Sequence, residues 1–347
     1  MKKTFAIVFI VFIYQGLSIA QQAKPFVTEM TGNISFNVPN RSGVVSIAEI
    51  SIGDGGTGPY KAVMTGDTSL ITHTIYRPSD LSRFGGEEKL PIIVWGNGGC
   101  RNGSSETRNL LSEIASHGFL VIAVGPLKYS IFDVDPNNRS MSDPKSLIAG
   151  IDWAIAQNSQ KESPFYGKID VSKVAAMGQS CGGLMALGVA TDPRVTTIVM
   201  WNSGLFASPP VMPNANNQNS GTAPRMVMPM VPKSDLKKLH CSIAYLTGGE
   251  YDIATKNAAD DFSIIENVQV IHANYDFSEI VKATGYKGVG HYPATYREPN
   301  GGDFGKAGVA WLEWQLKGDE EAAKMFKGQN PGLLNNKHWT LVKKNID

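Results

Sequence analysis

Lys173-Val174-Ala175-Ala176-Met177-Gly178-Gln179-Ser180-Cys181-Gly182-Gly183 runs from an apolar stretch into a serine framed by glycines. The apolar part is a short continuous run without polar alternation, the mark of a strand buried on both faces. The segment from Gly182 to Ala190 reads as a helix. A strand that turns sharply into a helix forces the central residue into a strained conformation. Glycines two positions to either side leave room for the close backbone approach. The serine hydroxyl is then held out at the carboxyl edge of a sheet, above the amino end of a helix. Amides and dipole there favour a developing negative charge. Ser180 is therefore the candidate nucleophile.

The neighbourhood of this turn repeats its logic. Leu90-Pro91-Ile92-Ile93-Val94-Trp95 and Phe119 to Val124 are further buried-strand runs, and Thr196 to Trp201, Ser242 to Leu246 and Val268 to Ala273 follow. Between them lie helical spacings from Glu106 to His117, with Leu110, Leu111 and Ile114 on one side, and from about Lys145 to Gln157. Strands alternating with helices at this spacing predict an α/β fold, a mostly parallel central sheet with helices on both faces. Upstream, Val44 to Ser51, Tyr60 to Thr65 and Leu70 to Tyr76 are separated by Gly- and Asp-rich turns and predict an antiparallel N-terminal lead-in. Helices from Phe304 to Lys317 and Glu320 to Phe326 close the pattern, and core packing explains Trp311 and Trp314 without a ligand. An insertion at about 205–233 breaks the rhythm. Its Pro209 to Pro232 stretch is rich in Pro, Asn and Met, yet Met226, Val227, Met228, Met230 and Val231 are too apolar for a plain linker. It reads as a lid or cleft wall, with a floppy excursion as the alternative.

A serine hydroxyl is barely ionised at neutral pH and needs a base. In strand–serine–helix hydrolases the chain order is Ser, acid, His, each at the end of a later strand. Thr247-Gly248-Gly249-Glu250-Tyr251-Asp252 follows one such strand, and Gly288-Val289-Gly290-His291-Tyr292 lies beyond the next. His291 is the candidate base and Asp252 the candidate acid, with Glu250 as runner-up. Asp260 and Asp261 read as the solvated start of a helix. His73, His117 and His240 fall too early in the chain, His272 reads as a packed strand residue, and His338 lies in the tail. For an oxyanion, one amide is expected from Cys181. The other is expected from Gly98 or Gly99 in the loop Trp95-Gly96-Asn97-Gly98-Gly99-Cys100. That placement brings Cys100 and Cys181 to the mouth of one site. It suggests a disulfide between the two loops, the alternative being two buried thiols. Cys241, at the start of a strand, reads as an inert core thiol.

These pieces together resemble the α/β-hydrolase superfamily from about Leu70 to Phe326. The nearest likeness is to exported bacterial enzymes of the dienelactone-hydrolase, chlorophyllase and polyester-hydrolase neighbourhood. The run from Tyr296-Arg297-Glu298-Pro299-Asn300-Gly301-Gly302 through Trp311 to Leu316 is similar to a subgroup of uncharacterised members. The resemblance implies hydrolysis of carboxylic esters through an acyl-enzyme on Ser180, without a cofactor. Two departures stand out. Gln179 and Cys181 flank the serine where many relatives carry His or Trp and Met, and the Pro209 to Pro232 stretch has no evident counterpart.

The remaining features bound the setting. A formal net charge of +1 gives no hint of nucleic acid as a partner. Lys2 and Lys3, the apolar stretch from Phe5 to Tyr14 and Ser18-Ile19-Ala20 predict a signal peptide over 1–20, too short to span a bilayer. A single domain over 21–347, secreted or periplasmic and monomeric by default, is then expected. Three cysteines match no zinc spacing, so no metal is expected. The expected partner is a small-molecule or polymer-linked ester. A peptidase or lactonase using the same three residues, and a catalytically silent binding module, are the competing readings.

Overall fold

A computed structural model of the chain describes residues 50–51, 55–127, 142–207, 229, 231–292 and 299–347. The expected signal segment, most of the first lead-in strand, most of the 205–233 insertion and Tyr296 to Glu298 lie outside the described residues.

Ten strands form one sheet: β1 (Ile50–Ser51), β2 (Ala62–Thr65), β3 (His73–Pro78), β4 (Leu90–Gly96), β5 (Leu120–Val124), β6 (Ile169–Gln179), β7 (Thr197–Trp201), β8 (Ser242–Thr247), β9 (Val270–Tyr275) and β10 (Trp339–Lys344). Their order is β1-β2-β3-β5-β4-β6-β7-β8-β9-β10. From β5 to β9 every pairing is parallel, whereas β1, β2 and β3 enter antiparallel and β10 closes the far edge antiparallel to β9. The lead-in and the parallel centre match the sequence expectation. β10 does not, because the mixed stretch Trp-Thr-Leu-Val-Lys-Lys lacks the apolar run of the central strands.

Successive side chains in a strand point to opposite faces, so each central strand feeds two cores. Ile93, Trp95, Met177, Val199 and Trp201 pack on one face with α1 (Arg108–Ser116) and α6 (Gly302–Leu312). Ile92, Val94, Ala176, Ile198 and Met200 pack on the other with α2 (Pro144–Ser159) and α3 (Cys181–Gly188). Fully burying each Val, Leu or Ile contributes roughly 1.5–3 kcal/mol, so the centre of the sheet is a stiff platform. Two more helices, α4 (Thr255–Ile264) and α5 (Ser278–Thr284), connect β8 to β9 and follow β9. α6 runs on into a single wide turn at Glu313–Lys317, and α7 (Glu320–Ala323) is short.

Asp261 corrects the sequence reading. It lies inside α4 and is fully buried, not solvated. Its Oδ2 accepts from the Leu205 amide at 2.7 Å and its Oδ1 pairs with Lys233 Nζ at 3.1 Å, so both ends of the 205–233 stretch rest on one carboxylate. Burial pushes its pKa up to about 6.

Candidate active site

Parallel register builds the site. Gly96 stands opposite Gly178, so the loops leaving β4 and β6 emerge side by side. Gln179 stands opposite Trp201, and the Ser180 amide donates to the Trp201 carbonyl at 2.9 Å. Ser180 itself has φ 54° and ψ −119°, outside the comfortable range for a side-chain-bearing residue. Such strain costs on the order of 1–3 kcal/mol and persists only where its surroundings enforce it. The enforcement is close backbone contact. A Cβ on Gly178 would lie 2.3 Å from the Gly182 backbone, and one on Gly182 would lie 2.0 Å from the Gly96 oxygen. Ser203 Oγ adds a brace by donating to the Ser180 carbonyl at 2.7 Å.

The structure brings Ser180, His291 and Asp252 together. Ser180 Oγ is 3.1 Å from His291 Nε2, and His291 Nδ1 is 2.6 Å from Asp252 Oδ1. Asp252 Oδ1 also accepts from the Ala254 amide at 2.9 Å. Its Oδ2 accepts from the Gly248 amide at 3.0 Å and from Asn202 Nδ2 at 2.9 Å. Both Asp252 and His291 are buried, whereas the runner-up Glu250 is exposed. A carboxylate with that many donors has little reason to leave its place, and it dictates which imidazole nitrogen carries the proton. The arrangement can therefore deprotonate the Ser180 hydroxyl through Nε2 as it attacks an electrophile.

The other histidines lie elsewhere. His272 is buried in β9 beside Thr247 Oγ1 at 2.8 Å, and burial pulls its pKa down to about 4. His73 is buried at the start of β3 with its Nε2 at the Ser146 carbonyl. His117 lies between Glu113 and Glu313, His240 at the Val195 carbonyl, and His338 stacks on Tyr275.

Cys181 is the first residue of α3, where a helix amide has no intrahelical acceptor. Gly98 faces the serine turn: a Cβ placed on it would lie 2.0 Å from Gln179 Oε1. Gly99, at φ 63°, faces Arg101 instead. Asn97 holds this loop down, with its Nδ2 donating to the Arg101 and Val124 carbonyls and its Oδ1 accepting from Trp95 Nε1. A disulfide joins Cys100 to Cys181, with Cα atoms 5.2 Å apart. The glycine loop and the serine turn are thus covalently tied. Cys241 is a buried free thiol whose pKa burial pushes up to about 12. Among the described residues, no group of three or more His, Cys, Asp or Glu side chains is placed to hold a metal ion.

Two residues at this site escaped the sequence reading. Asn202, immediately after β7, is fully buried, and its Nδ2 reaches both Asp252 Oδ2 and the Gly290 carbonyl, each at 2.9 Å. Gln179 donates from Nε2 to the His291 carbonyl at 2.8 Å. A signal existed for each. Asn202 is polar at the carboxyl end of a buried strand, where this architecture gathers its chemistry. Gln179 stands inside the serine motif itself.

Residues 58–208 match the family model of the PETase proteins, described as PET hydrolase-like. The fold is that of the α/β-hydrolases. The matched stretch spans β2 to β7, including Gly98, both bridged cysteines, Ser180 and Asn202. It ends before Asp252 and His291. No curated protein matches the chain. The matched family is one of ester hydrolases.

Proposed function

We propose that the protein is an exported serine carboxylesterase with Ser180 as nucleophile, His291 as general base and acid, and Asp252 as the orienting carboxylate. The observation that carries this reading is the unbroken path from Ser180 Oγ through His291 to Asp252, with contacts of 3.1 Å and 2.6 Å. As Oγ attacks the ester carbonyl, Nε2 takes its proton, and Asp252 steadies the imidazolium that forms. The tetrahedral oxyanion is held by the Cys181 amide together with that of Gly98 or Gly99. Gly98 is favoured because it faces the serine turn. His291 then protonates the departing alcohol, and water, deprotonated by the same ring, releases the acid from Ser180.

Several features support export: the basic and apolar start of the chain, its small-residue cleavage pattern, and a disulfide of the kind that persists in oxidising compartments. No helix among the described residues is long and apolar enough to cross a membrane. An extracellular ester follows as substrate class, acylated polysaccharides and polyesters among them. The test is labelling with a fluorophosphonate probe, with one adduct expected on Ser180. It is paired with hydrolysis of p-nitrophenyl acetate, expected to vanish in Ser180→Ala and His291→Ala. A purified protein that takes no label and cleaves no ester would return the fold to the binding modules.

A further inference from the structure

Asn202 combines three properties that a filler residue does not need. It is fully buried. Its backbone has φ 47°, a region that side-chain-bearing residues seldom adopt. Its Oδ1 is buried without a hydrogen-bond partner. An orphaned buried polar atom is costly and calls for a reason. The reason lies at the other end of the amide. The two groups facing it, the Asp252 carboxylate and the Gly290 carbonyl, can only accept, so the amide must turn its NH2 toward them and leave its oxygen stranded. One side chain thereby grips the acid and the backbone that precedes His291.

Gln179 supplies a second grip one residue further on. Its Nε2 donates to the His291 carbonyl at 2.8 Å, in a buried contact. Two side-chain amides therefore hold two successive carbonyls, Gly290 and His291. They come from the ends of β6 and β7, the strands whose pairing fixes the Ser180 backbone. The stretch carrying His291 is a short turn, Lys287–His291, in which only Gly290 and His291 are buried. The platform that presents the hydroxyl is thus the platform that grips the imidazole.

We infer that Asn202 and Gln179 act as an amide clamp that positions His291 against Ser180, Asn202 gripping Asp252 as well. They are positioning residues and touch no substrate. The inference rests on the serine-esterase reading above. Because the clamp sets the distance between base and nucleophile, losing it should lower kcat and leave KM nearly alone.

The test uses the full-length protein carrying Asn202→Ala, Asn202→Asp, Gln179→Leu or Gln179→Glu. Asn202→Asp and Gln179→Glu keep the volume and remove the donor, so a merely space-filling role would survive them. Each variant is followed by p-nitrophenyl acetate kinetics, by its fluorophosphonate labelling rate, and by thermal melting to establish that it is folded. The expected result for a folded variant is a kcat loss on the order of 100-fold for the Asn202 changes, the scale of a misplacement of about 1 Å. A smaller loss is expected for Gln179. KM should stay within about twofold, and labelling should slow by the same factor as kcat. Folded Asn202 variants with parental kcat overturn the clamp while leaving the esterase reading intact. If both Asn202 variants fail to fold, the two Gln179 variants decide, and parental kcat in both overturns the clamp. A parent protein that takes no label at Ser180 overturns the esterase reading and the clamp with it.

Discussion

Cutting the bridge between Cys100 and Cys181 should be the most informative single perturbation of stability. The two residues are separated by 81 positions, a segment that contains α1, β5, α2 and all of β6. Closing a ring of that length removes unfolded-chain entropy worth about 4.5 kcal/mol at room temperature. At about 2.1 cal/mol/K of unfolding entropy per residue, a domain of this size moves its melting point by roughly 1.5 °C per kcal/mol, so the loss should be about 7 °C. The comparison is between the parent, the parent under a phosphine reductant, and the double variant Cys100→Ser/Cys181→Ser, each followed by calorimetry. Activity should fall too, even well below the new Tm. The Gly98 loop and the first turn of α3 would then be held together only by non-covalent contacts, and two amides that drift apart stabilise an oxyanion poorly. A double variant melting within about 2 °C of the parent would refute the entropic argument. Full activity in that variant would refute the positioning one.

Three further outcomes follow from the geometry. Gly98→Ala should lower the rate on p-nitrophenyl acetate by about tenfold or more, because a methyl group there would lie 2.0 Å from Gln179 Oε1; an unchanged kcat would show that the loop yields freely. Burial alone would lower the pKa of His117, but hydrogen bonds and charge from Glu113 and Glu313 outweigh it and raise it from 6.5 to about 9. With the folded value the higher, that stabilisation is complete below 6.5 and is lost as pH climbs through 9. His117→Gln should therefore lower Tm markedly at pH 6 and little at pH 10, and equal losses at both would contradict the pairing. Asp261 is raised by burial from 3.8 to about 6, so the folded state binds the extra proton and stability declines as pH rises from about 4 through 6. Melting curves of the parent and Asp261→Asn across that window should converge toward acid and separate above it; parallel curves would mean that the carboxylate is not strained.

Much of the fold was legible because its central strands are buried on both faces. Val94, Ala176 and Val199 have no polar neighbours to blur the pattern, and the serine turn between β6 and α3 announces itself by its glycines. The elements that escaped are those whose burial is partial. β10 alternates buried and wet positions under a lysine-rich end, and α5 buries only Val281 among its residues. β6 begins earlier than expected, at Ile169. Its register against β4 shifts between Pro91 and Ile92, where proline offers no amide to the ladder, and the polar residues pushed outward there masked the strand. At the site, Ser180, Asp252 and His291 were readable because each sits in a glycine-marked loop after a strand. Asn202 was not, since its one local signal, polarity at the end of a buried strand, does not by itself distinguish a clamping amide from a surface one. Its partners lie 50 and 88 positions away, and only the folded register brings them near. Asp261 was misread for a related reason: its helix looks polar at Ala259-Asp260-Asp261, and only the neighbouring Leu205 and Lys233 turn one of those carboxylates inward.

The shared anchorage of Leu205 and Lys233 on α4 has an engineering corollary. Since entry and exit of the intervening stretch dock on a single rigid rod, that stretch can be treated as a cassette. Shortening it, or grafting in a different sequence, leaves both anchors in place, because the entropic cost of closing a chain between fixed ends grows slowly with its length. The carboxylate beneath it, like a mooring post, stays where it is.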